Sequence, residues 1–455
     1  MSHTTLAVPA PTRLAPALAL AGLVAFADFL FWADPPGLSL ALFALAVFAA
    51  ATWPVRPRAA LLRPLLLLVV AALPVVEMVQ ALSVAFLATG LVLSLVWAHG
   101  SLSPGTALSF ALALPRRWLA PLNPVRNLRV LRTLPTGTGT IRRQVALWAF
   151  PLGGSAIFIA LLADANPVLA RIFSVEIELG TAFERLLFWG GTALLLAPFL
   201  APLPEAAPLR LRLPAAGLNA GSVTRALVLF NAVIGLQTLT DLSILVAGAD
   251  LPAGMSFADY AHRGAYPLLA TAILAGAFAI AARPFLESNA AVRPMLALWL
   301  VQNVILCGAA AMRLDLYIGA YGLTYLRLHA LIWMGLVAAG LALGLWQILA
   351  RRSTPWLLAR VSALAVAVLY VCCFLNVAQI IASQNLARPT LDPNYVCDLG
   401  PMAAVAWAEA ANRPPPSFRL GSCPARHAPV TRGWRDWGFR AWRVRHTLAA
   451  LEGHA

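Results

Sequence analysis

Charge is scarce in this chain. Only 11% of its 455 residues are charged and 61% are hydrophobic, whereas about a quarter of a soluble globular domain is charged. That deficit excludes a water-soluble globule. Metal and redox motifs are lacking too. The seven histidines form no His-Glu-x-x-His pair and the five cysteines no Cys-x-x-Cys pair, so the sequence makes no case for a metal or a cofactor. Gly137-Thr-Gly139 lacks the third glycine and the following Lys-Ser/Thr of a phosphate-binding loop, and reads as a turn. No internal repeat is visible, and with it goes the pseudo-symmetry of many transporters.

What is there is apolar sequence in blocks of about 18–24 residues, the length that crosses about 30 Å of hydrocarbon. Eleven such spans are predicted, at 14–32, 37–53, 59–76, 79–98, 145–163, 185–202, 224–247, 265–282, 294–312, 326–349 and 356–376. The expected fold is an all-α polytopic transmembrane helix bundle of about eleven spans. A small extramembrane C-terminal tail, 377–455, follows a transmembrane domain, 1–376. Arg13 and the apolar run from Leu14 to Ala25-Phe-Ala27 imitate a cleavable signal peptide. The run continues through Trp32, which favours an uncleaved first span.

The formal charge of +15 is explained by topology and anionic lipid rather than by nucleic acid, because the arginines lie between spans. Arg56, Arg58 and Arg63, then Arg210 and Arg212, then Arg351 and Arg352, all follow even-numbered spans. Segment 99–144 does so as well, with seven arginines and no acid. Opposite loops carry Asp34, Glu176, Glu178, Glu184, Asp250 and Asp259. The basic side is cytoplasmic by the positive-inside rule. This puts the N-terminus in the cytoplasm of a bacterial inner membrane and the tail in the periplasm. The tail is itself arginine-rich, but long terminal domains translocate largely regardless of charge. There Cys397 and Cys423 either form a disulfide, which an oxidising periplasm permits, or remain free thiols. Cys307, Cys372 and Cys373 read as small core residues.

Two stretches suggest surface helices. Arg126, Arg129 and Arg132 recur beside Val125, Leu128 and Leu131, one basic and one apolar stripe on a helix. These anchor to anionic lipid or dock a partner. If helical, Trp434-Arg-Asp-Trp-Gly-Phe-Arg-Ala-Trp-Arg-Val-Arg445 lies against the membrane with its Trp rings at the interface.

Polar residues inside spans mark function or helix contacts. Asp28 and Asp241 sit about 6 and 9 Å below outer span ends, too shallow for the midplane acid that a coupled carrier prefers. Glu77 falls in the turn between spans 3 and 4. Asn231, Gln237, Gln302 and Asn303 are deeper and read as interhelical hydrogen-bonders. At the outer ends gather Asp259, Tyr260, His262 and Arg263, and then Arg313, Asp315, Tyr317, Tyr321, Tyr325 and Arg327. They form an interfacial aromatic belt or line an outer-face ligand pocket. In the pocket Arg263, Arg313 and Arg327 hold an anionic headgroup or sugar phosphate, with Asp28 and Asp241 balancing the charge.

These same residues carry a resemblance. Phe257-Ala-Asp-Tyr-Ala-His-Arg-Gly-Ala-Tyr266 and Arg313-Leu-Asp-Leu-Tyr-Ile-Gly-Ala-Tyr-Gly-Leu-Thr-Tyr-Leu-Arg-Leu328 resemble paired elements of a bacterial membrane family catalogued as a domain of unknown function, of the 4153/4173 type. Asp241 occupies that family's acidic position before the first element. Phe374–Leu386 and Leu391-Asp-Pro-Asn-Tyr395 resemble its post-membrane segment. The likeness covers about residues 224–400 and departs at Pro267, Gly319, Ala378 and Ser383. It implies a multi-pass membrane protein without an assigned reaction. The expected role is a non-enzymatic envelope component that binds a lipid, a glycan precursor or a partner protein at its outer face. A small-solute carrier, or a membrane-embedded transferase with Asp28, Asp241 or Asp259 as base, are the alternatives.

Overall fold

The computed structural model describes residues 14–55, 57–100, 102–119, 148, 151, 153–155, 179–200, 219–245, 257–287, 290–389, 392–410 and 423–452. Among them every regular element is a helix. Hydrocarbon imposes this, since a helix satisfies its own backbone donors and acceptors where no water can. Seven described helices are long and apolar enough to cross a membrane, and three shorter apolar ones join them. These fall on ten of the eleven predicted spans. Span 145–163 lies almost wholly outside the described residues, and the Arg126–Arg132 stripe entirely so. The chain is an all-α, polytopic membrane protein.

It divides into two compact units. One comprises residues 1–73, 87–210 and 433–436, the other 74–86, 211–432 and 437–455. The first holds α1 (Leu14–Phe31), α2 (Leu38–Thr52), most of α3 (Leu62–Glu77) and α4 (Ala81–His99), α5 (Pro104–Leu119) and α6 (Leu179–Leu200). Leu23, Val47 and Leu196 bring α1, α2 and α6 together. A Cβ on Gly90 would stand 2.1 Å from that of Ala71, so α3 and α4 meet through small residues, as closely packed membrane helices do.

Helix α5 was not predicted. Its start is nonetheless written in Ser103-Pro-Gly-Thr106. The Ser103 amide donates to Thr106 Oγ1 at 2.9 Å and the Thr106 amide to Ser103 Oγ at 3.1 Å, a reciprocal cap with proline at the first helical position. Residues 433–436 sit on the α1–α2 turn. Arg435 donates to Asp34 at 2.6 Å and covers the Phe29 ring at 4.1 Å. A Cβ on Gly37 would come within 2.4 Å of the Asp436 backbone, so only glycine permits that approach.

The second unit contains α7 (Ala220–Leu245), α8 (Phe257–Ala282), α9 (Val292–Tyr321), α10 (Tyr325–Leu349) and α11 (Thr354–Cys372). Four short helices follow: α12 (Val377–Leu386), α13 (Pro393–Asp398), α14 (Ala404–Ala410) and α15 (Phe439–Glu452). Helices α7 and α9 run parallel. Asn231 Nδ2 donates to the Met295 carbonyl at 3.1 Å, Gly235 faces Gln302, and Asp241 meets Arg313, so both chains advance together. Leu227, Leu296 and Leu300 are buried in this core. On α7 the opposite stripe, Leu229, Val233 and Leu236, is exposed, as expected of a face that meets lipid.

The 30 residues of α9 extend about 45 Å at the helical rise, half as long again as the hydrocarbon is thick. Its predicted span stops at 312 because Arg313 is charged. The helix runs on to Tyr321 because Arg313 finds its counter-charge inside the bundle. Around the far end of α9 pack Leu314, Ile318, Leu323, Ile381 and Trp407, together with a disulfide between Cys397 and Cys423.

Candidate functional site

The turn between α9 and α10 is built by Tyr321-Gly-Leu-Thr324. Gly322 ends α9 at φ 82 and ψ 172, a backbone region open essentially to glycine. Thr324 then caps α10 by accepting from the Arg327 amide. Between them the Asn385 side chain takes both backbone groups of Leu323. Its Oδ1 accepts from the Leu323 N–H and its Nδ2 donates to the Leu323 carbonyl, each at 2.8 Å. Two guanidiniums close the carbonyl end of α9. Arg327 donates to Tyr321 and Gly322, and Arg388 to Ile318 at 3.1 Å and Gly319 at 2.5 Å. Cations belong at a helix C-terminus, where carbonyls are unsatisfied and the dipole is negative.

Gly322→Ala is expected to lower stability by about 1–3 kcal/mol from backbone strain alone. Its Cβ would also lie 2.8 Å from Asn385 Oδ1. Thermal unfolding of the detergent-solubilised chain measures this, alongside Asn385→Ala and the double variant. The double should cost less than the sum, because each single change already breaks the same clamp. A Gly322→Ala melting temperature equal to that of the parent contradicts the assignment.

The residues expected at the outer face separate into several roles. Arg313 forms an ion pair with Asp241, both buried, and Gln237 Nε2 donates to the same Asp241 Oδ1 at 2.8 Å. Tyr317 packs against Tyr321 with the rings tilted and their centroids 4.8 Å apart, and carries the Arg327 guanidinium on its face at 4.4 Å. Arg313 and Arg327 are thus engaged by the protein's own groups. Asp28 belongs to the first unit, where Arg185 grips it with two donors and Trp189 donates at 2.8 Å. Asp259, Tyr260 and Arg263 lie on the first turns of α8, and their side chains are outside the described residues. Asn231 makes a cross-helix bond to α9, while Asn303 Nδ2 returns to its own helix at Trp299.

Glu77 proves more important than its turn position implied. It ends α3, is 4% exposed, and accepts from Arg440 at 3.1 Å and Arg443 at 2.9 Å, both on α15. Arg440 also donates to the Cys373 carbonyl at 2.5 Å. The Trp/Arg-rich tail is helical from Phe439; Arg435 is held by Asp34, Arg440 and Arg443 by Glu77, and Arg445 donates to Thr431. Asn385, Arg388 and the Glu77–Arg440 pair are the members that sequence reasoning missed. Asn385 stood within the post-membrane resemblance, and the excess of arginine in the tail was the other signal.

Beside Arg440 opens a cavity of about 520 Å³. Met78, Gln80 and Leu82 from the α3–α4 turn form one wall, Tyr325, His329 and Trp333 of α10 another, and Leu369 and Cys372 of α11 a third. Asn376 and Met402 complete the rim. Apolar walls with a few convergent polar groups are the usual make-up of a small-molecule site. Among the described residues no cluster of three His, Cys, Asp or Glu side chains stands together to hold a metal.

No curated protein and no solved structure matches the chain. A family match runs over residues 37–410 and encloses the stretch 224–400 that carries the resemblance described above. The chain belongs to that family, described as Domain of unknown function (DUF4153).

Proposed function

We propose that this protein is a non-enzymatic component of a bacterial inner membrane that binds an amphiphile, its polar end held in the cavity beside Arg440. The observation that carries the reading is that apolar side chains (Leu82, Trp333, Leu369) and polar ones (Gln80, His329, Asn376) line the same cavity. A lipid presents the same pairing. Arg440 lines the cavity and shares the single carboxylate of Glu77 with Arg443. One positive charge is left in excess, which favours an anionic headgroup.

Two further features support the outer face as the side of binding. The arginine-rich segments following even-numbered spans favour a cytoplasmic position for the opposite ends of the helices. The Cys397–Cys423 disulfide accords with an oxidising compartment for residues 377–455.

The test is native mass spectrometry of the full chain extracted with its lipids, comparing the parent with Gln80→Leu/His329→Leu. Losing a hydrogen bond to a charged headgroup costs about 1.5–3 kcal/mol, so retention of anionic lipid should fall by roughly tenfold or more. Circular dichroism and melting should be unchanged. If the variant keeps the same lipids at the same occupancy, the cavity is not the site.

A further inference from the structure

A second cavity, of about 330 Å³, lies along α8, α10 and α11. Trp333 lines both cavities. Their walls are continuous in helical register. On α10 the lining residues run His329, Trp333, Val337, Gly340, Gly344 and Ile348, spaced three or four apart and therefore on one face. On α11 they run Leu358, Val361, Ala365, Leu369 and Cys372 at the same spacing. The two openings are thus successive parts of one groove between two antiparallel helices. Glycine makes the deeper part. A Cβ on Gly340 or Gly344 would make only ordinary van der Waals contact, at 4.0 Å from Val361 and 3.8 Å from Leu300, so both positions accept a side chain without a clash at its first atom.

The length of the groove sets the class of ligand. From Tyr325 to Ile348 it follows α10 for about 35 Å at the helical rise. One leaflet of hydrocarbon is about 15 Å deep, about ten residues of helix, so the chain of an ordinary two-chain lipid with its head at His329 ends near Ala339 and leaves the groove from Gly340 to Ile348 empty. That part, at the low end of ligand-pocket volumes, suits one chain and not two. Trp333 is half-exposed at the junction, positioned to lie along a chain that passes it.

We infer that the two cavities are one site for a lipid with a single chain longer than a leaflet is deep, of the polyisoprenoid class, with its anionic head at His329 and its chain along Gly340 and Gly344. This rests on the amphiphile-binding reading above and goes beyond it by naming the chain. The full chain in detergent is titrated with a long-chain polyisoprenyl phosphate and, separately, with phosphatidic acid. Filling the deep part by Gly340→Leu/Gly344→Leu should weaken the polyisoprenyl phosphate by roughly tenfold and leave phosphatidic acid within about twofold. A polyisoprenyl phosphate bearing a photoreactive group at its chain end should label α10 beyond Gly340 and α11 near Val361 in the parent protein, a readout that needs no variant.

Labelling confined to Tyr325–Ala339, or groove filling that weakens neither lipid, overturns the long-chain assignment while the head cavity stands if Gln80→Leu/His329→Leu loses both lipids. If the parent binds neither lipid, the amphiphile reading fails and the chain assignment with it.

Discussion

Asp241→Ala or Arg313→Ala is expected to destabilise the second unit by about 3–5 kcal/mol, the cost of leaving one member of a buried ion pair without the other. Asp241 is fully buried, Arg313 is 5% exposed, and the donor from Gln237 fixes the carboxylate on α7. The pair joins two parallel helices, α7 and α9, so losing it loosens the register of the core. Replacing both charges at once should be far milder. Asp241→Leu/Arg313→Met removes two desolvation costs together with the attraction, and such exchanges are often close to neutral. Thermal unfolding of the parent, Asp241→Leu, Arg313→Met and the double variant in one detergent gives the coupling energy directly. Additive losses, with the double variant the least stable of the four, would show that the pair does not act as a unit.

Sequence alone was strong on what hydrocarbon dictates and weak on what distant residues supply. Ten apolar blocks became helices because length and hydropathy are local properties. Arg313 was placed at a span end because a lone guanidinium is expensive in lipid. Its partner stands 72 residues earlier, and no periodicity on α9 points to it. The Tyr-Gly-Leu-Thr pattern was visible as a pattern, yet its meaning depends on Asn385, 62 residues away from the Leu323 it clamps. Glu77 reads as an unremarkable turn residue until Arg440 is brought to it from 363 residues further on. Composition held one clue to this chemistry. All 33 basic residues are arginine and none is lysine. Arg185 grips both oxygens of Asp28, while Arg327 and Arg388 each bind two carbonyls of α9. A planar fork serves such paired acceptors better than a point charge does.

The second large effect is expected at Glu77, and it should be local. Helix α15 places only Arg440 and Val444 in buried positions, so little apolar area holds it. Val444 packs with Ala404 and Val405, and the partly buried Leu448 of the same helix packs beside them; a fully buried valine contributes about 1.5–3 kcal/mol. The carboxylate of Glu77, serving two guanidiniums, is therefore the main attachment. Glu77→Ala leaves Arg440 buried without its carboxylate, at a cost of about 3–5 kcal/mol. That is comparable with what Val444 and the partly buried Leu448 supply together, so α15 should loosen in its seat. Arg443→Ala should do little, about 0–1 kcal/mol, because that side chain is 47% exposed and water screens its bond. Arg440→Ala should fall between, since Arg443 still reaches Glu77. Hydrogen exchange resolves the ranking: α15 amides should lose protection in Glu77→Ala while those of α9 keep theirs. Because Arg440 also lines the larger cavity, lipid retention should fall in parallel with α15 protection across the three variants. Unchanged exchange in α15 of Glu77→Ala would refute the attachment, and full protection loss with undiminished lipid would separate the tail helix from the site.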